Sequence, residues 1–300
     1  MKVGVIGTGV MGRNHVRVYS ELRDVDELYV YDVNQAAAEE VAAKNDAQVA
    51  PTFDALMDSV DAVSCCAPTP FHNELGQHIL ESGVHLLMEK PLCQTAAEAE
   101  ELTAMIPKGL TVGVGHIERF NPIVSEICRI VKDPLYVEFK RHNPASSRIN
   151  GSSVVEDLMI HDLDIVLHCL FAGQDYTIQK AGNYDLCAAL FSFGSVPVYL
   201  SASRKASKKI RTVHIEQEDR TITGDFMNQE ILAYWKPENY SVEDDRYVQE
   251  NIIEKILVPK TEPLKAELMC FIDCVKTGKL FPITPEEATR NLGVCEQLTK

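Results

Sequence analysis

The sequence predicts an α/β protein built from a doubly wound parallel sheet followed by an α+β domain with a large, mostly antiparallel open sheet. Through about residue 115, short apolar strands alternate with helical segments, as in parallel sheets covered by helices. After Pro134, strands follow one another with turn signals such as Gly182-Asn183, as in antiparallel sheets. Since single cores seldom grow past about 250 residues, we expect two domains, 1–118 and 119–300, with the closing helix packed back on the first.

The individual elements are predicted from apolar runs, helical periodicity and turn residues. In the first domain we expect strands at residues 2–6, 28–31, 61–66, 84–88 and 110–114, and helices at 10–22, 36–44, 71–82 and 96–105, then a crossover helix at 118–131. In the second domain we expect a strand at 135–142, one long helix at 154–171, and strands near 175–182, 185–193, 196–203, 209–217, 219–223, 229–235 and 248–258. Helices at 263–276 and 285–298 close the chain.

A glycine-rich run, Gly7-Thr-Gly-Val-Met-Gly12, comes directly after the first apolar strand. In this setting the first glycine permits a tight turn, the second lets the backbone approach a pyrophosphate, and the third lets the helix pack closely on the sheet. The helix N-terminus offers unpaired N–H groups and the positive end of a dipole to the phosphates. The run predicts a Rossmann-type dinucleotide site at Gly7, Gly9, Val10, Met11 and Gly12; a glycine turn without a ligand is the alternative.

Asp32 ends the second predicted strand, twenty positions after the last glycine of the run. A carboxylate at this place accepts hydrogen bonds from the ribose hydroxyls of an adenosine. Its charge would repel a 2′-phosphate, and the three residues that follow it include no arginine. The predicted cofactor is therefore NAD rather than NADP.

The composition is that of an ordinary globular protein and argues against several classes of function. The formal net charge of −15 disfavours a general affinity for nucleic acid or anionic membranes, and no stretch approaches the roughly 18 apolar residues of a spanning helix. Nine cysteines without a C-x-x-C pair indicate neither a zinc site nor a redox pair and favour reduced thiols in a cytoplasm. Because the first strand starts at the second residue, we expect no signal peptide.

The strand predicted at 84–88 delivers Glu89 and Lys90 at its carboxyl end, followed by Pro91. Ligands of doubly wound sheets bind outside the carboxyl ends of the strands, so Lys90 would reach the nicotinamide end of a cofactor on that edge. The alternative is a surface lysine at the end of a strand.

Titratable side chains recur along one side of the helix predicted at 154–171. Asp157, His161, Asp164 and His168 are spaced i, i+4, i+7 and i+11, so an α-helix would place them on one face. This pattern has three interpretations: a solvated acidic face, a zinc site of Asp and His, or a proton-transfer pair with His161 as acid/base and Asp157 supporting it. We favour the proton-transfer pair and expect no metal.

Taken in order, the glycine run, Glu-Lys-Pro near residue 90 and Asp-x-x-x-His near residue 160 resemble the Gfo/Idh/MocA oxidoreductase family along the whole chain. The resemblance implies hydride transfer between NAD and a secondary alcohol or ketone on a sugar-like ring. It implies that Lys90 contacts both cofactor and reacting hydroxyl, with His161 accepting the proton. Pro68 and His72 would match the family's loop after the fourth strand, which flanks the cofactor, and Ala67 departs there from the family's frequent threonine.

The segment 115–122, Gly-His-Ile-Glu-Arg-Phe-Asn-Pro, corresponds in this resemblance to the stretch that passes the nicotinamide, with Asn121 near the cofactor. Its form is similar to that of the branch acting on nucleotide sugars such as UDP-N-acetylglucosamine. Arg119, Arg141 and Arg148 would then bind the anionic part of the substrate. We interpret the basic cluster at 204–211 as a solvated loop and edge strand; contact with a substrate diphosphate is the alternative.

Two other functions stay open. One is a dehydrogenase of free sugars or of cyclitols such as myo-inositol, and the other is a non-catalytic NAD-binding regulator that responds to sugars. The presence of Lys90, Asp157 and His161 favours an enzyme. An antiparallel sheet with one face not covered by helices predicts a homodimer or homotetramer formed through that face. We expect a cytoplasmic protein with a small-molecule substrate and neither nucleic acid nor membrane as partner.

Overall fold

The computed structural model describes residues 1–144, 151–237, 240–243, 246–249 and 251–300. The chain divides into two compact units. Unit 1 comprises Met1–Phe120 and Glu262–Glu296, and unit 2 comprises Asn121–Thr261 and Gln297–Lys300. In the described ranges, no helix is long and apolar enough to cross a membrane.

The helices mostly begin where the sequence offers a start signal. Thr95 and Glu98 form a reciprocal capping box, and Pro122 and Pro263 stand in the first turns of their helices, where a missing N–H costs nothing. The helices are α1 (Val10–Ser20), α2 (Gln35–Lys44), α3 (Phe53–Met57), α4 (His72–Glu81), α5 (Ala96–Ala104), α6 (Pro122–Ile130), α7 (Ile160–Ile165), α8 (Pro263–Thr277) and α9 (Pro285–Thr299).

Unit 1 contains a parallel sheet. Its strands are β1 (Lys2–Ile6), β2 (Glu27–Tyr31), β3 (Gln48–Val49), β4 (Ala62–Cys65), β5 (His85–Glu89) and β6 (Val112–Gly115). They lie in the order β3-β2-β1-β4-β5-β6, which confirms the predicted doubly wound sheet. Because the chain proceeds in opposite directions from β1, a crevice opens at the carboxyl ends of β1 and β4. The sequence did not predict β3 or α3, which have only two and five residues.

The core of unit 1 is formed by strand and helix side chains together. Val3, Val5 and Val63 of the central strands are fully buried. Helix α8 contributes the fully buried Leu268 and Phe271 and packs against α1. The C-terminal part of the chain therefore completes the core around the first helix of the sheet.

Unit 2 contains a larger, mostly antiparallel sheet, as predicted. Its strands are β7 (Tyr136–His142), β8 (Thr177–Asn183), β9 (Leu186–Phe193), β10 (Val196–Ser203), β11 (Ile210–Glu216), β12 (Arg220–Asp225), β13 (Glu230–Trp235) and, after a separate hairpin of β14 (Tyr240–Glu243) and β15 (Arg246–Gln249), β16 (Ile253–Ile256). The order is β16-β13-β12-β11-β7-β10-β9-β8. Only the β7–β10 pair among these neighbours is parallel.

The two faces of the large sheet differ in burial, as β9 shows. Cys187 and Phe191 point inward and are buried, whereas Leu186 and Leu190 on the opposite face are 45% and 39% exposed. On the buried side, Ile123 and Ile127 of α6 lie so close to Gly224 in β12 that a Cβ there would be 3.1–3.4 Å from their methyl carbons.

Two helices differ from the prediction. The crossover helix predicted at 118–131 is a 3₁₀ turn, Ile117–Phe120, followed by α6. The break occurs because Pro122 cannot continue a helix, and the Asn121 side chain caps α6 by accepting a hydrogen bond from Ile123 N. The long helix predicted at 154–171 is continuous but widens into π-helical segments, Val155–Met159 and Val166–Leu170, on both sides of α7.

Candidate functional site

The turn after β1 has the backbone that its glycines suggest. Gly7 has a φ of +86°, in the left-handed region that favours glycine. A Cβ on Gly12 would lie 1.8 Å from the Gly7 carbonyl oxygen, so α1 packs directly on the turn. Gly9 is different, because no described atom lies within 4 Å of where its Cβ would be, and no described side chain caps α1 at this residue. The first N–H groups of α1 are thus left for a ligand such as a phosphate.

Asp32 lies directly after β2 and is held toward this turn. Its Oδ2 accepts hydrogen bonds from the backbone N and the Oγ1 of Thr8, at 2.6 and 2.7 Å. Its Oδ1 accepts one from Asn34 N at 2.8 Å. Burial acts to raise the pKa of Asp32, but these hydrogen bonds outweigh burial and hold the pKa below its usual value. A fixed carboxylate therefore stands beside the glycine turn.

Glu89, the last residue of β5, is buried and holds the backbone of Lys90. Its Oε1 accepts a hydrogen bond from His15 Nε2 at 2.9 Å, and its Oε2 accepts one from Lys90 N at 3.2 Å. Burial acts to raise the pKa of Glu89, but His15 and the charge of Lys90 outweigh it and lower the pKa. A Cβ on Gly115, the neighbour in β6, would be 3.2 Å from the Glu89 carboxyl carbon. The carboxylate therefore fills its site tightly.

A second buried acid, Glu267 on α8, lies in the same region of unit 1. Burial first, and then the charge of Glu89, raise the pKa of Glu267 well above its usual value, which favours the neutral form of its carboxyl group. Neither of its carboxyl oxygens has a hydrogen-bond partner among the described residues. Burial, and next the charge of Glu89, also raise the pKa of the Cys66 thiol.

Potential metal ligands are close together here, since one ligand atom each from His15, Cys66 and Glu89 lie within 4.8 Å of one another. His15 Nε2 and Glu89 Oε1 already bond to each other. This buried hydrogen bond satisfies both polar groups, so we interpret the cluster as a hydrogen-bonded pair beside a buried thiol.

His72, the first residue of α4, connects two loops of unit 1. Its Nδ1 is 2.8 Å from the carbonyl oxygen of Pro91, and its Nε2 is 2.8 Å from that of Ala67. The ring is buried, and both partners are acceptors, so a neutral ring donates to one of the two carbonyl oxygens and only a protonated ring donates to both. The loop that carries Pro68 and the loop that carries Lys90 are therefore joined by one side chain.

The helical run of unit 2 carries Asp157 in its first π-helical segment and His161 in α7. Both are half-buried, as is His168, whereas Asp164 is fully buried. The single face predicted for these residues assumes regular α-helical turns, and π-helical turns are wider and shift side chains around the axis. The start of the run is a capping box: Glu156 Oε2 accepts from Ser153 N and Oγ at 2.7 and 2.8 Å.

Arg141, predicted to bind substrate, is 1% exposed in β7. Its Nε and Nη2 donate to Asp162 Oδ1 at 3.0 and 2.7 Å, and its guanidinium lies 5.3 Å from the centre of the Phe226 ring. These contacts give Arg141 a structural role inside unit 2, and they do not support the predicted substrate contact.

Arg119, predicted to bind substrate, and Asn121, predicted to lie near the cofactor, also have hydrogen-bond partners within their own unit. The Arg119 guanidinium, 12% exposed, donates to Glu287 Oε2 at 2.8 Å and to the Pro282 carbonyl oxygen at 3.3 Å. The buried Asn121 caps α6 and donates to the Phe226 carbonyl oxygen at 3.0 Å. Arg148 lies outside the described residues.

The basic cluster at 204–211 is partly structural. Arg204 is buried and donates to the carbonyl oxygens of Ser152 and Tyr184 at 2.9 and 3.0 Å. The strand that carries Arg211 is β11, which pairs with β7 on one side and β12 on the other. The interpretation of this strand as an edge strand was therefore wrong, because β11 lies inside the sheet with a paired strand on each side.

The sequence analysis missed His15 and Glu267. A signal existed for His15, because it shares a buried helical stripe with Gly12, Val16 and Tyr19, where a titratable side chain is unusual. Glu267 likewise lies in the buried stripe of α8 beside Leu264, Leu268 and Phe271.

The parallel sheet, the glycine turn and the carboxylate after β2 define a dinucleotide-binding protein, and comparisons with known proteins specify its class. A family model described as an oxidoreductase family with an NAD-binding Rossmann fold matches residues 1–116. UDP-N-acetylglucosamine 3-dehydrogenase of Acidithiobacillus ferrooxidans is 33% identical over 243 residues, or 78% of this chain and 77% of that protein. The chain belongs to the Gfo/Idh/MocA family of oxidoreductases, so the predicted family and the predicted dehydrogenase class of enzyme are confirmed.

Two further comparisons extend this result. The solved structure of UDP-N-acetylglucosamine 3-dehydrogenase GnnA from the same organism has a TM-score of 0.88 and 29% identity, covering 99% of this chain and 96% of that chain. Inositol 2-dehydrogenase 1 of Saccharopolyspora erythraea is 29% identical over 218 residues, or 69% of this chain and 59% of that protein.

Proposed function

We propose that the chain is an NAD-dependent dehydrogenase that oxidises a secondary alcohol of a nucleotide sugar, with the 3-hydroxyl of UDP-N-acetylglucosamine as first candidate. The observation that carries the proposal is the fixed backbone of Lys90, which follows a strand of the sheet that bears the glycine turn and Asp32. The substrate class is supported by the 33% identity to a UDP-N-acetylglucosamine 3-dehydrogenase over most of both chains.

The residues of unit 1 fit a nicotinamide dinucleotide. Gly9 leaves space for a pyrophosphate at the N-terminus of α1, and the low pKa of Asp32 keeps a charged acceptor ready for two ribose hydroxyls. The same charge disfavours the 2′-phosphate of NADP. When bound, the nicotinamide accepts the hydride from the substrate carbon.

Side chains of the protein transfer the proton of the reacting hydroxyl. His161 accepts the proton of the reacting hydroxyl, and Asp157, four residues earlier, stabilises the imidazolium that forms. Lys90 donates a hydrogen bond to the oxygen of that hydroxyl and so stabilises the negative charge that develops there. Arg119, whose guanidinium is partly exposed, is the candidate contact for the diphosphate; Arg148 stays a prediction.

A cyclitol dehydrogenase is the second candidate, because inositol 2-dehydrogenase 1 of S. erythraea matches 69% of this chain. One assay separates the two. The purified protein is mixed with NAD and with UDP-N-acetylglucosamine, N-acetylglucosamine, glucose or myo-inositol, and NADH absorbance is followed. Reduction of NAD with the UDP-sugar alone supports the proposal, reduction with myo-inositol alone supports the second candidate, and NAD binding without turnover on any of them contradicts both.

Cofactor choice has its own test. Replacing Asp32 by serine removes the charge that repels a 2′-phosphate and keeps a hydroxyl near the turn. We expect the ratio of kcat/KM for NAD to that for NADP to fall at least tenfold in Asp32→Ser, and an unchanged ratio would contradict the role of Asp32.

We also propose that a second copy of the chain covers the open face of the large sheet. Three side chains on this face are 39–45% exposed: Leu186 and Leu190 of β9 and Tyr234 of β13. An exposed apolar face of this kind is usually covered by a partner. Light scattering should give a dimer or tetramer, and Leu190→Asp should shift it toward the monomer.

A further inference from the structure

The backbone on both sides of the Lys90 side chain is held through buried histidines. On the amino side, Lys90 N donates to Glu89 Oε2 at 3.2 Å, and the other oxygen of that carboxylate accepts from His15 Nε2 at 2.9 Å. On the carboxyl side, the carbonyl oxygen of Pro91 lies 2.8 Å from Nδ1 of His72. Two successive residues therefore have their backbone positions fixed from two directions.

The two histidines come from different helices and bond to residues on either side of Lys90. His15 is on α1, which starts at the glycine turn, and His72 opens α4, where its second nitrogen contacts Ala67 in the loop after β4. Both rings are at most 1% exposed. Because a carbonyl or carboxylate oxygen can only accept, the positioning contacts require an N–H on Nε2 of His15 toward Glu89 and on Nδ1 of His72 toward Pro91.

Such bonds matter because Lys90 is the first residue after β5, where regular strand hydrogen bonding ends. A lysine side chain has a long flexible stem, so the position of its amine depends on a fixed backbone. Reactive groups must be held within about 0.5 Å, and a 1 Å displacement costs about 10²-fold in rate.

We propose that His15, through Glu89, and His72, through Pro91, are positioning residues that together hold the Lys90 amine in its reacting place. The inference rests on the proposed function, because it gives Lys90 a part in the reaction. Neither histidine touches substrate or cofactor in this proposal; both act through the backbone at residues 90 and 91.

The experiment compares paired variants in the full chain. His15→Leu and His72→Leu remove the donors, whereas His15→Gln and His72→Asn keep an N–H near the original nitrogen. His78→Gln is the matched control, because His78 is on α4 but exposed. Hydrogen exchange of the peptide containing Lys90, melting temperature, NAD affinity and steady-state kinetics with UDP-N-acetylglucosamine are measured for each.

We expect faster exchange at Lys90 and a kcat lowered about 10²-fold in the two leucine variants, with KM and NAD affinity within threefold of the original. The amide variants should recover much of the loss, and His78→Gln should change nothing. In a Lys90→Ala background, His72→Leu should lower kcat no further, because the group that it positions is gone.

Each failure has a distinct signature. Unchanged exchange at Lys90 in folded leucine variants would overturn the hydrogen-bonded positioning, whatever the activity. Faster exchange with full kcat, while Lys90→Ala is inactive, would overturn its catalytic importance. Full activity of Lys90→Ala itself would overturn the proposed function, and the exchange measurement would still decide whether the histidines hold this backbone. If a leucine variant does not fold, the amide variants carry the same comparison.

Discussion

The two units hold their proposed catalytic groups by different means. In unit 1, Lys90 follows a strand end, and the backbone around it is fixed by Glu89 and His72. In unit 2, Asp157 and His161 belong to a helical run that widens into π-helical segments on both sides of α7. A strand end places one residue at one edge, whereas wider helical turns redistribute the side chains around an axis. The sequence therefore predicts the place of Lys90 at the sheet edge more directly than the directions of Asp157 and His161 around their helix.

The comparison is tested most strongly by removing the proposed catalytic group of each unit. We expect Lys90→Ala and His161→Ala each to lower kcat by about 10²–10⁴-fold, the usual contribution of a positioned proton-transfer group. NAD affinity should change little in both, because the turn and Asp32 are untouched. Stopped-flow or steady-state NADH absorbance measures the rate, and Lys108→Ala, an exposed lysine of unit 1, is the control. Near-normal kcat in either variant would remove that unit's residue from the mechanism.

Arg141 tests whether unit 2 holds its helical run through a buried ion pair. Arg141→Met leaves the Asp162 carboxylate buried without its partner, which typically costs about 3–5 kcal/mol in the free energy of unfolding. Replacing both residues, as in Arg141→Met with Asp162→Leu, should recover much of that loss. Urea unfolding measures both. A fully stable Arg141→Met with a raised KM for the nucleotide sugar would instead restore the predicted substrate contact.

The glycine run tests whether unit 1 is fixed by backbone contacts as tightly as the geometry indicates. Gly12→Ala puts a methyl carbon 1.8 Å from the Gly7 carbonyl oxygen, so α1 must move, at a cost of about 3 kcal/mol in stability. Gly9→Ala meets no described atom within 4 Å and should stay within about 0.5 kcal/mol of the original stability. Its effect should be a weaker NAD affinity, measured by calorimetry. Equal melting temperatures for the two variants would contradict the packing described for α1.

The difference between strand ends and widened helical turns also explains which elements of each unit the sequence could predict. The strands of unit 1 and the order of its elements were predicted because apolar runs alternate with helices and the glycine run marks the first turn. The strands β7 to β13 of unit 2 were predicted to within a few residues, helped by the turn signals at Gly182 and Gly194. The hairpin of β14 and β15 was missed, because one strand was predicted at 248–258 where β15 and β16 are separate. The π-helical segments were not predicted, because helical periodicity assumes a constant number of residues per turn. Short elements such as β3 were not predicted either.

At the site, residue type and position in the chain were predictable, but burial and partners were not. Arg141 was expected to face a substrate because an arginine in a strand carries no sign of its buried partner, Asp162, twenty-one residues away. The buried stripe of α1 could have indicated that His15 is buried, but not its partner, because Glu89 is seventy-four residues away. Long-range pairs of this kind require the tertiary structure, since no local pattern encodes them.

Glu267 gives the smallest expected effect and tests the buried charges of unit 1 by pH. Its folded-state pKa is raised, so between its usual value of about 4.3 and the raised value the unfolded chain has lost a proton that the folded chain keeps. The folded state then binds more protons, and stability falls with rising pH by up to about 1.4 kcal/mol per pH unit. Glu267→Gln resembles the neutral acid but cannot titrate, so its stability does not fall with rising pH for this reason.

The advantage of Glu267→Gln in melting temperature should therefore increase from pH 5 to pH 8, while that of the exposed control Glu286→Gln stays constant. His15 and Glu89 are present in both proteins and largely cancel from the difference. An advantage that did not change with pH would mean that the Glu267 carboxyl titrates normally, and hence that water or a partner group reaches it. The interior of unit 1 around Glu89 would then be more polar than its burial indicates.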